Sequence, residues 1–148
     1  MPKTTIFIGS SGAARAQARK VVDAFASPSV MFIPWWDSFR AGDTLLANLD
    51  RISASVDAAL MVVSPESETT IRRKTVPIPN LNVLFEFGYF YGHLGGSKVA
   101  IIKYGDLYLP SDLGGYVHIF GSRSFTRSQG APVGKRTRAE FERWIAGV

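Results

Sequence analysis

Glu86 stands alone among apolar and aromatic side chains in the run Asn82-Val83-Leu84-Phe85-Glu86-Phe87-Gly88-Tyr89-Phe90, and no Lys or Arg lies within eleven positions on either side. An ionised carboxylate resists transfer to an apolar setting unless it is paired, hydrogen-bonded or put to use. Glu86 is therefore the first candidate for chemistry. Asn82 sits one helical turn before it on the same face. If the carboxylate is instead purely structural, hydroxyls such as those of Ser10 or Ser11 should satisfy it.

Two further groups of residues suit a ligand. Gly9-Ser10-Ser11-Gly12 follows an apolar run and precedes a helical pattern. Backbone N–H groups there favour an anion such as a pyrophosphate, and the hydroxyls add donors. The segment lacks the spacing of a Walker A loop or of Gly-x-Gly-x-x-Gly, so a tight turn with a capping serine is an equal reading. Trp35-Trp36-Asp37 and Phe39-Arg40 read as a loop whose rings can stack on a planar base and whose Arg40 can meet a phosphate. Trp35 is expected to point inward and Trp36 to lie nearer a ligand or a neighbouring subunit. Tyr89 and Phe90 read as core, and His93 and His118 as surface or strand-end residues.

A lone carboxylate narrows the reaction class. O-glycoside hydrolysis generally needs a second carboxyl group to protonate the leaving oxygen. The nicotinamide of NAD⁺ leaves as a neutral base and needs no such acid. One carboxylate beside the ribose can stabilise the oxocarbenium-like transition state. The pattern is compatible with cleavage of a nicotinamide–ribose bond, with NAD⁺ as substrate and no cofactor.

The elements that must position these residues alternate. Thr5–Gly9, Val30–Ile33, Ala58–Ser64, Lys98–Tyr104 and Tyr116–Phe120 read as strands, the third apolar throughout as a central parallel strand is. Helical spacing covers Ala13–Phe25, with Ala14, Ala18, Val21 or Val22 and Phe25 on one face. A second helix, N-capped by Asp43, carries Leu45, Leu46, Leu49 and Ile52 on one face. The Glu86 helix stops near Gly95-Gly96. Thr137 and Glu140 have capping-box spacing at the start of a last helix with Phe141, Trp144 and Ile145 inward. Pro65–Leu81 reads as a long polar connection and Ser122–Gly134 as a flexible, linker-like segment. The alternation predicts an α/β, flavodoxin-like parallel sheet of order 2-1-3-4-5 with helices on both faces, and ligands at the carboxyl ends of strands one and three.

The chain has 148 residues, 46% of them hydrophobic, which suits a single domain over residues 1–148. No apolar run reaches membrane-spanning length and no signal-peptide pattern opens the chain, so a cytoplasmic protein without a membrane partner is expected. The absence of cysteine excludes disulfides and cysteine-ligated metals, and two histidines argue against zinc. The net charge of +5 is concentrated at Arg123, Arg127, Lys135, Arg136, Arg138 and Arg143. No aromatic platform is interleaved with these charges, which favours a solvated face over a nucleic-acid surface.

Ile6-Phe7-Ile8-Gly9-Ser10-Ser11, Trp36-Asp37 with Phe39-Arg40-Ala41-Gly42, and Asn82-Val83-Leu84-Phe85-Glu86-Phe87-Gly88 together resemble the bacterial TIR-like "predicted nucleotide-binding" family. Lys98–Ile102 and Leu109-Pro110-Ser111-Asp112-Leu113-Gly114-Gly115 extend the resemblance, which runs to about Phe120. Within TIR domains it is similar to effectors of cyclic-nucleotide anti-phage signalling, including TIR–STING fusions. The resemblance implies NAD⁺ hydrolase activity with Glu86 catalytic. It places the substrate pocket at Ser10, Ser11, Trp36, Asp37, Phe39, Arg40 and Asn82. It also implies activation by self-association into an oligomer or filament, and a cyclic-nucleotide-sensing domain outside this chain. The chain departs from the family at Asn80-Leu81, where Arg-Asp is common, and at Gly12-Ala13. The alternatives are a non-catalytic TIR-like self-association module and a nucleoside-processing transferase. The transferase would want a second carboxylate, for which Asp37 and Asp43 are the nearby residues.

Overall fold

A computed structural model of the chain describes residues 2–110, 116–126 and 130–148. The sequence motif Ser111–Gly115 and the basic residue Arg127 lie outside the described residues. The element order is β1 (Thr4–Gly9), α1 (Arg15–Phe25), β2 (Val30–Pro34), α2 (Trp35–Ser38), α3 (Leu45–Ser53), β3 (Ala58–Val63), β4 (Ser67–Ile71), β5 (Lys74–Ile78), α4 (Leu81–Leu94), a 3₁₀ turn at Gly96–Lys98, β6 (Val99–Tyr104), β7 (Val117–Ser122) and α5 (Lys135–Ile145).

Five strands form a parallel sheet in the order β2-β1-β3-β6-β7. Counted without the β4–β5 pair, this is the expected 2-1-3-4-5 order. The alternating side chains of the sheet feed two cores. Ile6, Ile8, Leu60, Val62, Ile102 and Ile119 point to one face, where Ala18, Val21 and Phe25 of α1 and Phe141 and Trp144 of α5 cover them. Phe7, Met61, Val63, Val99 and Ile101 point to the other, under Leu49 and Ile52 of α3 and Val83, Phe87 and Phe90 of α4. The central strand β3 is buried along its whole length because helices cover both of its faces.

Several local expectations are corrected. The Pro65–Leu81 connection contains a two-stranded antiparallel hairpin, β4 with β5, turning at Arg72 and Arg73. Both arginines have positive φ, 50° and 68°, as a two-residue primed turn demands. Neither residue is the Gly or Asn that normally signals such a turn, so the hairpin is hidden from pattern reading. Trp35–Ser38 is a short helix rather than a loop, closed by the Phe39 N–H donating to the Trp35 carbonyl at 3.0 Å. The cap of α3 is Thr44, not Asp43, with its hydroxyl accepting from the Ala47 N–H at 3.1 Å. Leu46 faces outward while Leu49 and Ile52 are buried.

The Thr137–Glu140 pair does not cap its own helix, which begins two residues earlier at Lys135. The Thr137 hydroxyl donates to the Phe120 carbonyl at 2.6 Å, and the Glu140 carboxylate accepts the Phe120 N–H at 2.5 Å. Spacing of i, i+3 places both groups on one helix face. Here that face meets the open edge of β7 and occupies backbone groups that another strand would otherwise pair with. The expected flexible segment is tied at Ala131, whose N–H and carbonyl both bond to the amide of buried Gln17, at 2.6 and 3.0 Å.

Candidate functional site

The carboxyl end of β1 opens into a cleft of about 300 Å³ lined by Ser10, Ser11, Trp35, Phe39, Asn80, Asn82 and Glu86, among others. Parallel sheets gather ligands at this end of the strands, at the point where the chain order reverses between β1 and β3. Glu86 reaches it from α4, one turn after Asn82. Its neighbours Val83, Phe87 and Phe90 are buried in the core beneath. Phe7 stacks on Phe90 at 4.7 Å between centroids and on Phe39 at 5.9 Å, so an aromatic floor continues from the core into the cleft.

Glu86 is 5% exposed, and its Oε2 has no hydrogen-bond partner among the described residues. Burial pushes its pKa from 4.5 up to about 7. With no cation or donor opposing that desolvation, the group is poised to change charge near neutrality. Its position also explains Gly9. A Cβ there would lie 3.0 Å from Glu86 Oε2, 3.0 Å from the Phe7 ring and 2.7 Å from Met61 Sδ. Only a residue without a side chain lets the strand end approach the carboxylate so closely.

The serine hydroxyls do not satisfy Glu86, which corrects the structural expectation. Ser10 Oγ donates to the Ser11 carbonyl at 2.9 Å and accepts the Trp35 indole N–H at 2.8 Å. Ser11 Oγ accepts the Ala14 N–H at 3.1 Å, in the capping manner, which leaves its own proton to donate elsewhere. The side chain of Asn80 caps α4 by accepting from the N–H groups of Asn82, at 2.9 Å, and Val83, at 3.4 Å.

Of the residues singled out in the sequence, the fold brings Ser10, Ser11, Phe39, Asn82 and Glu86 into one lining. It does not bring Trp36, Asp37 or Arg40 there. Trp35 packs inward against the α3–α4 core, as expected, and Trp36 is half-buried but does not line this cleft. Trp35 also lines the cleft, and Trp36 packs toward the α1 core with the guanidinium groups of Arg15 and Arg19 over its ring at 5.5 and 5.3 Å. Asp37 is exposed. Arg40 is also exposed, and its backbone N–H donates to Asn48 Oδ1 at 2.9 Å. Pattern reading missed Trp35, Asn80, Leu45 and Val83 as lining residues. Asn80 carried one usable signal, a side chain suited to capping immediately before the Glu86 helix.

Tyr89 belongs to the packing between α3 and α4, where its hydroxyl donates to Asp50. Among the described residues, no three His, Asp or Glu side chains gather so as to hold a metal ion. No helix among them is long and apolar enough to cross a membrane.

A doubly wound parallel sheet with a buried glutamate at its switch point defines an α/β domain of the flavodoxin-like class. The family described as CAP12/Pycsar effector protein, TIR domain, matches residues 5–121, and the chain belongs to it. It is 35% identical over 111 residues to CD-NTase-associated protein 12 of Lachnospiraceae bacterium (strain RUG226), a match covering 75% of this chain and 35% of that protein. It is 33% identical over 128 residues to CD-NTase-associated protein 12 of Sphingobacterium faecium, covering 86% of this chain and 38% of that protein. It is 35% identical over 92 residues to Pycsar effector protein PaPycTIR of Pseudomonas aeruginosa, covering 60% and 30%. The matches thus span 30–38% of the length of these relatives.

Proposed function

We propose that the chain is an NAD⁺ hydrolase, the effector part of a bacterial anti-phage response that a cyclic nucleotide triggers. One observation carries the reading: a buried carboxylate without a hydrogen-bond partner at Oε2, in an aromatic cleft at the carboxyl end of a parallel sheet. The Glu86 carboxylate stabilises positive charge developing on the nicotinamide ribose as the C1′–N bond breaks. Nicotinamide leaves as the neutral base. Water adds at C1′ and loses its proton, so that NAD⁺ and water give nicotinamide, ADP-ribose and H⁺. A ribose hydroxyl attacking in place of water gives a cyclised product.

Trp35 and Phe39 offer planar surfaces to the departing ring. Ser11 and Asn82 offer hydrogen bonds to ribose or phosphate oxygens. The positive charge on the nicotinamide favours the ionised form of Glu86, so substrate binding itself prepares the carboxylate.

Self-association is part of the proposal, and exposed apolar residues beside the cleft favour it. Leu81 and Phe85 on α4 are 68% and 50% exposed, and Leu46 on α3 is 52% exposed. Helices α3 and α4 both return against the parallel strands and so run in the same direction. Leu46 and Phe85 each lie one turn before the Asp50–Tyr89 contact that joins α3 to α4. Exposed apolar side chains grouped in this way favour an interface with a second copy. In this reading the cyclic nucleotide is sensed by a domain outside these 148 residues.

The test is nicotinamide release from NAD⁺ by the chain, free and fused to an oligomerising partner, beside Glu86→Gln. The reading expects release that grows faster than linearly with concentration and is absent in the variant. Release by Glu86→Gln at the wild-type rate defeats the assignment. A fused, assembled wild type that releases nothing leaves the self-association module as the reading.

A further inference from the structure

A second cleft, of about 500 Å³, shares no residue with the Glu86 cleft and lies against β6 and β7; it is lined by Lys103, His118, Phe120, Arg123, Arg136 and Glu140, among others. Sheet register explains its origin. Ile101 pairs with His118 and Lys103 with Phe120. These four side chains therefore share the face that α4 covers farther inward, where Ile101 is buried in the core. In a doubly wound sheet a crossover helix ordinarily covers the last strands. The connection from β6 to β7 has no helix among its described residues. Lys103, His118 and Phe120 line the cleft, with Arg136 and Glu140 supplied by α5 at the sheet edge.

The charges in this cleft are unequally matched. Arg136–Glu140, at 3.2 Å, is the one ion pair among the described residues. Glu140 is further engaged by the Phe120 N–H. That leaves Lys103 and Arg123 against Asp106. His118, exposed at the cleft, adds a hydrogen-bonding ring. The Arg136 guanidinium carbon lies over the Phe120 ring, 4.2 Å from its centroid, a cation–π contact.

We propose that this cleft binds a nucleoside monophosphate. Lys103 and Arg123 take the phosphate, and the Arg136 guanidinium over Phe120 takes the base. Phosphate dianions suit paired cations, and a guanidinium stacks on a heterocycle with little loss of hydration. The site sits at the carboxyl ends of two parallel strands, where this architecture collects ligands.

The experiment titrates the 148-residue chain with AMP, with adenosine and inorganic phosphate as separate arms, and follows backbone amide signals. AMP is expected to saturate and to shift the amides of His118, Phe120, Arg123 and Arg136. It should bind more tightly than either fragment and weaken as salt is raised. Lys103→Ala and Arg123→Ala should each weaken AMP roughly tenfold, the loss of about one charge-assisted contact. Arg123 is exposed, so its variant keeps the test readable if Lys103→Ala does not fold. Shifts confined to the Ser10–Asn82 region, equal binding of adenosine and AMP, or indifference to Arg123→Ala each overturn the proposal. The readout is binding at β7, so it stands or falls independently of NAD⁺ cleavage.

Discussion

Glu86→Gln should alter stability in a manner that depends on pH. In the folded chain burial raises the Glu86 pKa from 4.5 to about 7. The folded state therefore disfavours ionisation, while the unfolded chain ionises freely above its ordinary value. Below pH 4.5 the group is protonated in both states and exerts no penalty. As pH rises, the unfolded state releases its proton first, and the penalty on folding grows until the folded group also ionises, levelling off above pH 7. The full penalty is roughly 3 kcal/mol, at 1.36 kcal/mol for each unit of displacement. It is roughly 1 kcal/mol at pH 5 and nearly complete at pH 8 by the same relation. Glutamine cannot ionise and escapes it. Whatever pH-independent effect the buried amide has, the melting-temperature difference between Glu86→Gln and wild type should move in favour of the variant by roughly 5–10 °C between pH 5 and pH 8, given about 2–4 °C per kcal/mol for chains of this size. Thermal unfolding of both proteins across that range, without substrate, reads it directly. A difference that stays constant with pH would show that Glu86 ionises as easily folded as unfolded, and the description of its environment would be wrong.

Other outcomes follow from the packing. Gly9→Ala pushes a methyl group against Met61 Sδ, the Phe7 ring and Glu86 Oε2; urea unfolding should show a loss of roughly 1–3 kcal/mol, and an unchanged midpoint would mean the strand end has room to spare. Thr137→Val removes the hydroxyl that donates to the Phe120 carbonyl and should destabilise by about 1–3 kcal/mol, with Glu140→Gln milder because its amide oxygen can still accept from the Phe120 N–H; unaltered melting of Thr137→Val would contradict the role of α5 in closing the sheet edge. Replacing the turn residues together, Arg72→Asn with Arg73→Gly, relieves two positive-φ side chains and should stabilise the hairpin by roughly 1 kcal/mol, measured by denaturant midpoint; a loss would argue that the arginines are held there by contacts of their own.

The five parallel strands were legible because each is a short apolar run between turn signals, and their alternation with helices admits few topologies. The hairpin was not, since Arg72 and Arg73 carry none of the turn chemistry by which primed turns are recognised. Glu86 was legible as an energetic anomaly, and Asn82 followed from helical spacing. The tryptophans were legible in part: Trp35 packs inward on the α3–α4 core as expected, but spacing gave no sign of the bond to Ser10 that also draws it to the cleft. Thr137 and Glu140 had the spacing of a capping box, but spacing alone does not say whether two groups on one helix face serve that helix or a neighbouring strand.

The pH dependence of nicotinamide release, followed as kcat/KM, tests the central claim most directly because it reports the ionisation of the free enzyme. If the buried Glu86 carboxylate supplies the negative charge, kcat/KM rises with pH and levels off, with its midpoint about 7. A profile that is flat from pH 5 to 8, or that falls through neutrality, would contradict it.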